Sequence, residues 1–190
     1  MNGLTLIITR ASDPYLRASL HRHYSQPDGF VGRSICYGVF YDWLYYGHIV
    51  AGSATKHLPN RCEFLGTDDL NLIANNTFFH IEKPYPCRNF AQKVVRRWRE
   101  QTFTDWRKKY GDELVGFESL VEPPRNGDVY RRDRWTLIGR TKGFTCKRVA
   151  GKGSDNWTGR RVWDTEHLRP KDVWARLVRE NERCRTRFVC

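Results

Sequence analysis

Two carboxylates are the residues of this sequence best placed to do chemistry. Residues 114–121 are predicted to form a buried central strand, with Glu118 inside it and Glu122 directly after it. Side chains alternate along a strand, so an unbroken strand puts both on one face. Neighbouring carboxylates raise each other's pKa and can supply a general base or metal ligands. The alternative is a structural ion pair with Arg131 or Arg134.

A second group of candidates lies where a predicted helix runs into a loop, at His23, Tyr24 and Ser25. The Tyr and Ser hydroxyls can hydrogen-bond a nucleobase edge. Together with Glu122, His23 can ligate a metal ion, although no tight ligand spacing accompanies it. A single histidine is more often a structural residue, and that interpretation stays open.

Amide and aromatic side chains complete the predicted pocket. Asn75 and Asn76 can pair with the donor and acceptor of an adenine edge, or can simply form a turn. Tyr37, on a predicted hairpin, is expected to form a pocket wall. Tyr130 begins a short arginine-rich segment after the acidic strand, in which Trp135 is either a base-stacking residue or part of the core.

The positive charge is confined to the second half of the chain. Of 33 Lys and Arg residues and 21 Asp and Glu residues, seven of each lie in residues 1–86, so the excess lies in residues 87–190. A one-sided basic surface with interleaved aromatics favours a nucleic acid as the partner, and the alternative is a merely solvated basic face. The candidate phosphate contacts are Lys93, Arg96, Arg97, Arg131, Arg132, Arg134, Lys142, Lys147 and Arg148, with Trp157 as an exposed aromatic.

The elements that must position these residues alternate along the chain. Periodicity predicts strands at 4–9, 35–40, 44–51, 77–82, 114–121, 136–140 and 144–150, and helices at 15–21, 89–102, 129–135 and 172–185. Helices placed between strands of one sheet indicate an α/β fold, in which a mixed central sheet is flanked by helices in a single domain.

Composition narrows the class of protein further. At 190 residues with 39% hydrophobic residues, the chain can bury a sizeable core. Its apolar runs are too short to cross a bilayer, and residues 1–9 lack the basic start of a signal peptide, so a cytoplasmic location is expected. Six cysteines at irregular spacing predict reduced thiols rather than a zinc ribbon or a disulfide framework.

Between residues 23 and 147 the sequence resembles a known group of DNA-modification and defence proteins. The similar stretches are His23-Tyr24-Ser25, ICYGVF with GHIVAGSA, NLIANNTFF, Arg88-Asn89-Phe90-Ala91, DWRKKYG, GFESLVEPP, Tyr130, Arg134-Trp135 and residues 138–143. Their order and rough spacing resemble the family that unites phage Mom-type adenine-modifying proteins with Druantia-type defence proteins.

This resemblance implies a fold similar to GCN5-related (GNAT) acyltransferases, over residues 1–150, with residues 151–190 as a basic loop and helical extension. It implies a transferase that adds a carbamoylmethyl or related acyl-type group to adenine N6 in phage DNA, which evades restriction. It also implies an acidic residue at Glu122, and iron as a possible cofactor.

The donor cannot be named from the sequence. An activated acyl or aminoacyl donor is expected, with Arg88 and Asn89 at the start of the central helix as the cofactor-binding candidates. Acyl-CoA is doubtful on this pattern, because residues 83–89 contain no glycine and two prolines that remove backbone donors.

Two other classes of protein remain open. The chain can instead be a DNA-binding subunit of an anti-phage system without transfer chemistry. A nuclease that uses the two carboxylates on Mg²⁺ ranks last, because no catalytic lysine follows the acids at nuclease spacing.

Overall fold

A computed structural model describes residues 3–23, 29–149, 160–164 and 166–178. The strands are β1 Leu4–Thr9, β2 Ser34–Tyr41, β3 Leu44–Ser53, β4 Ile73–Ile81, β5 Gly116–Val121, β6 Thr136–Arg140, β7 Thr145–Val149, β8 Arg160–Asp164 and β9 Asp172–Leu177. The helices are α1 Pro14–Arg22, α2 Arg61–Leu65, α3 Phe90–Tyr110 and α4 Asp128–Arg132, with a 3₁₀ turn at Leu70–Leu72. This order confirms the predicted α/β fold.

Seven strands form one mixed sheet in the order β1-β2-β3-β4-β5-β9-β6. The first four strands are antiparallel to their neighbours, whereas β4 and β5 run parallel. Strand β9 lies antiparallel between β5 and β6. Strands β7 and β8 pair with each other in a separate two-stranded sheet.

Helices cover both faces of the large sheet. On one face α3 buries the apolar stripe that its sequence predicts, including Phe90, Val94 and Trp98, against Tyr37 and Phe117 of the sheet. Tyr130 and Trp135 join the same cluster, so Trp135 is a core residue. On the opposite face α1 packs on Phe78 and Val50, and α2 contributes Leu65 to a cluster with Ile73 and Val173.

Local sequence explains where the two principal helices begin and end. Helix α1 starts at Pro14, and the Asp13 carboxylate accepts a hydrogen bond from the Leu16 N–H, which satisfies an otherwise unpaired donor. Helix α3 ends at Gly111, which takes the left-handed conformation with φ 82°. It runs eight residues beyond the predicted end at 102, because the stripe continues through Phe103 and Trp106.

One predicted helix is wrong. Residues 172–177 form strand β9 rather than the start of a helix, because Val173, Trp174 and Ala175 are all buried between neighbouring strands. A strand covered on both faces loses its polar alternation, so its sequence resembles a helical segment. The rest of the predicted helix lies outside the described residues, as does the predicted loop at 151–159.

No helix in the described part of the chain combines the length and the apolar character needed to span a membrane.

Candidate active site

A cavity opens where the two parallel strands of the sheet separate. Pairing of β4 with β5 covers only three residues, from Ile73 opposite Gly116 to Asn75 opposite Glu118. Beyond that point a cavity of about 550 Å³ lies between the strands, with residues 76–81 on one side and 119–121 on the other. Ala91 in the first turn of α3 and residues 128–130 of α4 close it. The opening therefore lies at the centre of the fold.

Asn76 is the polar side chain that stands out in this cavity. It lines the cavity, is only 6% exposed, and neither its Oδ1 nor its Nδ2 has a hydrogen-bond partner. The side chain of its neighbour Asn75 lies on the opposite face of the sheet, where its Nδ2 donates to the Thr55 hydroxyl at 3.0 Å. A buried amide without a partner costs free energy, so Asn76 is suited to bind a ligand's polar atom.

Exposed cations lie around the start of α3, outside the cavity lining, to which the first turn of the helix contributes Ala91. Asn89 precedes the helix in the left-handed conformation with φ 58°, and thereby makes the turn without a glycine. The exposed Arg88 adjoins it. Arg132 of α4 reaches Asn89 Oδ1 at 3.4 Å, and Lys93 Nζ lies 3.3 Å from Cys87 Sγ. A 21-residue helix with these cations at its N-terminus favours an anionic group.

His23 lies where α1 ends. It lines the cavity, is 9% exposed and packs on Phe78, with ring centroids 4.7 Å apart. Burial is the main cause that lowers its pKa to about 4, and the positive charges of His80, Arg125 and Lys171 add to the effect. His23 is therefore neutral at pH 7 and can accept a hydrogen bond there.

Glu122 follows β5 but, unlike residues 119–121, does not itself line the cavity. Its Oε2 lies 3.3 Å from Lys171 Nζ, and the carboxylate is about one-fifth exposed. Pro124 and Arg125, just beyond it, line the cavity. Lys171 therefore acts on both members of the predicted metal-ligand pair: it forms an ion pair with Glu122, and its charge lowers the pKa of His23.

A chain of charges adjoins His23. Glu82 Oε1 accepts hydrogen bonds from Arg22 at 2.6 Å and pairs with His80 Nε2 at 3.2 Å. These bonds hold the pKa of Glu82 below its usual range, although partial burial opposes them. Sequence reasoning missed His80, which also lines the cavity, and the register shift in β4 between Asn76 and Phe78 means that no regular alternation in the sequence places it there.

Tyr130, a catalytic candidate from the sequence, lines the opening from α4 and is 6% exposed. Sequence reasoning missed its neighbour across the opening, Ser119, which is 2% exposed and also lines the cavity. The signal for Ser119 was its position on the same strand as Glu118, one residue further and therefore on the other face.

Glu118 does not reach this cavity. It is fully buried on the face that carries α2, where it accepts a hydrogen bond from the Thr55 N–H at 2.6 Å and pairs with Arg61 Nη1 at 3.4 Å. Burial raises its pKa, and Thr55 and Arg61 oppose the rise. Glu118 therefore forms a structural ion pair, the alternative to a catalytic role, and its partner is Arg61 rather than Arg131 or Arg134.

Tyr37 is also placed elsewhere. It is fully buried under α3, and its hydroxyl donates to Asp105 Oδ2 at 3.1 Å and contacts the Thr102 hydroxyl. Burial raises its pKa. The prediction that it forms a pocket wall is wrong for this cavity, because the inward face of β2 is covered by the helix.

The predicted cations occupy the surface around α3 and α4. Arg131 pairs with Asp128 at 2.8 Å, and Arg96 with Glu100 at 3.2 Å. The side chains of Arg97, Arg134 and Lys142 are exposed. The described residues do not include Tyr24, Ser25 and Trp157, or the side chains of Lys147 and Arg148.

A metal site receives no support from the described residues. Among them no group of three or more His, Cys, Asp or Glu side chains could hold an ion. Iron therefore stays a prediction that the resemblance alone implies, with His23 and Glu122 as its candidate ligands.

Comparison with solved structures identifies the fold. A Bacillus subtilis acetyltransferase in complex with CoA superposes with a TM-score of 0.58 at 9% identity, over 93% of this chain and 99% of that one. A GNAT family acetyltransferase from Elizabethkingia anophelis with acetyl-CoA bound gives 0.57 at 7% identity, over 94% and 100%. A ribosomal L7/L12 alpha-N-protein acetyltransferase gives 0.52 at 14% identity, over 94% and 95%.

The chain therefore has the fold of the GNAT acetyltransferases, which confirms that part of the resemblance. No protein family matches the sequence, and no curated protein does either. Nothing in these comparisons supports the Mom-type or Druantia-type group specifically.

Proposed function

We propose that this protein is an acyltransferase that moves an acyl group from a thioester of the acyl-CoA class to an amine. The observation that carries the proposal is the cavity between β4 and β5, in which Asn76 holds both amide atoms buried and unpaired. Two proteins of the same fold were solved with CoA or acetyl-CoA, as their names state.

The residues present fit a donor of this class. Asn89 makes the turn that a glycine would make, which removes one sequence-based objection to acyl-CoA. Arg88, Lys93 and Arg132 supply positive charge for a diphosphate beside the start of α3. Pro84 and Pro86 do remove two backbone donors, so side chains and the first turn of the helix must supply the contacts.

When bound, such a donor supplies an activated acyl carbon and a thiol leaving group. Asn76 Nδ2 would donate a hydrogen bond to the acyl oxygen as negative charge develops on it. Tyr130, a buried hydroxyl in the same cavity, would donate to the leaving thiolate. His23 would accept a hydrogen bond from the acceptor amine and orient it, because a pKa of about 4 makes it a weak base at pH 7. Glu122 would take the proton.

The acceptor that we propose is the N6 amine of adenine in double-stranded DNA, with an N6-acyl product that masks restriction sites in phage DNA. The support is the distribution of charge. Exposed cations of α4, including Arg131 and Arg132, lie on the element that closes the cavity. Base chemistry on a duplex requires that the base leave the stack, which phosphate contacts beside the cavity would assist.

The test separates donor from acceptor. Calorimetry with acetyl-CoA should show saturable binding that CoA shares, and nucleoside mass spectrometry of plasmid DNA incubated with protein and acetyl-CoA should show a new deoxyadenosine derivative. Matched variants are Asn76→Ala and Asn71→Ala, since Asn71 is exposed and outside the cavity. Absence of acetyl-CoA binding would overturn the donor. If acetyl-CoA binds but the DNA stays unmodified, and a protein amine is acetylated instead, the proposal of adenine N6 as the acceptor would be overturned while that of the donor would stand.

A DNA-binding subunit without transfer chemistry is the second candidate, favoured by the same exposed cations. It predicts DNA affinity that falls steeply with salt, with no binding of acetyl-CoA. Arg132→Gln should reduce the salt slope by about one unit under either proposal, so donor binding is the measurement that separates the two.

A further inference from the structure

A second cavity, of about 600 Å³, lies at the other end of α3. It is formed by the end of β1, the start of β2 and the last turns of α3. No residue lines both this cavity and the one between β4 and β5. Its size falls within the range of small-molecule sites, about 300–1,000 Å³.

The walls of this second cavity are apolar. Ile8 on β1 and Ile35 on β2 line it, with Ala11 beside them. Ile8 is 56% exposed although it belongs to the face of β1 that turns toward α3. A ligand that covers this large aliphatic side chain removes apolar surface from water, which favours binding.

Its rim is cationic. Arg10, Lys108 and Lys109 line the cavity, against one carboxylate, Asp105. Asp105 already accepts a hydrogen bond from the Tyr37 hydroxyl. Within the described part of the chain, the ion pairs include neither Arg10 nor Lys108.

One of the three cations is fixed in place. Lys109 Nζ donates to the Ser34 carbonyl at 2.8 Å and lies over the Tyr110 ring, 5.2 Å from its centroid. The Tyr110 hydroxyl donates to the same carbonyl at 3.0 Å. A cation held in position needs little ordering when a ligand binds, which reduces the entropic cost of binding.

We infer that this second cavity binds a small organic anion, with the apolar body against Ile8 and Ile35 and the acidic head group toward Lys108, Lys109 and Arg10. The ligand class is an aromatic or short aliphatic body that bears one carboxylate, sulfonate or phosphate. The inference is independent of the proposed transferase, because it uses none of the residues of the first cavity.

The probe for the test is naphthalene-1-sulfonate, titrated by calorimetry into the full chain at low salt. We expect saturable binding of one molecule per chain. Uncharged 1-naphthalenemethanol and inorganic sulfate should each bind at least tenfold more weakly, since each lacks one half of the ligand.

Variants locate the site. Lys108→Glu should weaken binding about fivefold, in line with the modest energy of an exposed ion pair. Ile8→Ser should also weaken it, without change of charge. The matched control is Arg97→Glu, an exposed charge reversal on the same helix, about 16 Å along its axis from Lys108. Asn76→Ala should bind the probe as the wild type does, because it belongs to the first cavity.

Equal loss of affinity in Lys108→Glu and Arg97→Glu would overturn the site, as would displacement of the probe by sulfate at equal concentration. Absence of saturable binding would overturn it as well. Thermal unfolding of each variant ensures that the comparison is made between folded proteins.

Discussion

Asn75 on β4 and Glu118 on β5 are the last two residues at which these parallel strands remain paired. Both side chains turn to the face of α2, where Asn75 Nδ2 reaches the Thr55 hydroxyl and Glu118 accepts from the Thr55 N–H. Thr55 thus ties the two strands together at the point where they begin to separate. The next residue of each strand, Asn76 and Ser119, faces the cavity. The buried contacts on one face therefore fix the geometry of the opening on the other.

Asn76→Ala tests the role of the unpaired amide. We expect kcat to fall by about 10²-fold, the usual loss when one donor to a developing oxyanion is removed. The KM for the donor should change little, and thermal stability should hold or rise, because no hydrogen bond of the protein is lost. Steady-state kinetics with acetyl-CoA, beside Asn71→Ala, measures this. A variant with unchanged kcat would contradict the assignment.

Gly127, at the start of α4, is expected to be intolerant of any side chain. Its φ is 70°, and an added Cβ would lie 2.3 Å from Trp174 Nε1. Gly66 has a similar φ of 72° but open space around it, so Gly66→Ala measures the backbone strain alone, about 1–2 kcal/mol. Urea unfolding should show a clearly larger loss of unfolding free energy for Gly127→Ala than for Gly66→Ala. Equal losses would show that Trp174 can move aside.

Much of the fold follows from local sequence, and the exceptions have a physical cause. The strand Leu4–Thr9, the hairpin and the stripe of α3 are amphipathic or bounded by turn residues, and the structure confirms them. Strand β9 is covered on both faces, with Val173 to Arg176 all buried. Burial on both sides erases the period that distinguishes a strand from a helix.

Only part of the candidate site could be predicted from the sequence. Asn76, Tyr130 and His23 line the cavity and were named from residue type. Glu118 was misplaced because its partner Arg61 lies 57 residues earlier in the chain, a contact that no local spacing encodes. The cavity itself depends on where two distant strands stop pairing, which is a property of the tertiary structure.

The buried pair of Arg61 and Glu118 should matter for stability and not for chemistry. Removal of one partner leaves the other charge buried and typically costs about 3–5 kcal/mol. Arg61→Met and Glu118→Gln are each expected to lower the urea midpoint strongly, whereas the double variant should recover part of the loss. The activity of the folded fraction should remain. Loss of kcat in Glu118→Gln at unchanged stability would instead restore Glu118 as a catalytic residue.

Stability should fall in mild acid, in part because of His48. It is 1% exposed, with Tyr45 Oη 2.7 Å from its Nδ1 and Thr9 Oγ1 3.4 Å from its Nε2. Burial lowers its pKa to about 4, although Asp13 opposes the shift. Between the unfolded value near 6.5 and the folded value near 4, the unfolded chain binds more protons. Stability is therefore complete above pH 6.5 and is lost as the pH falls toward 4.

The size of this loss distinguishes His48 from other groups. A pKa lowered from 6.5 to about 4 corresponds to at most about 3–4 kcal/mol of unfolding free energy. His48→Asn should be less stable at pH 7 and should show a smaller decline between pH 6.5 and 4. The control is His57→Asn, an exposed histidine whose positive φ asparagine tolerates. Urea titrations across this range measure both variants. His23, whose pKa is lowered in the same direction, should account for the decline that remains. An unchanged slope in His48→Asn would show that protonation of His48 does not govern acid stability.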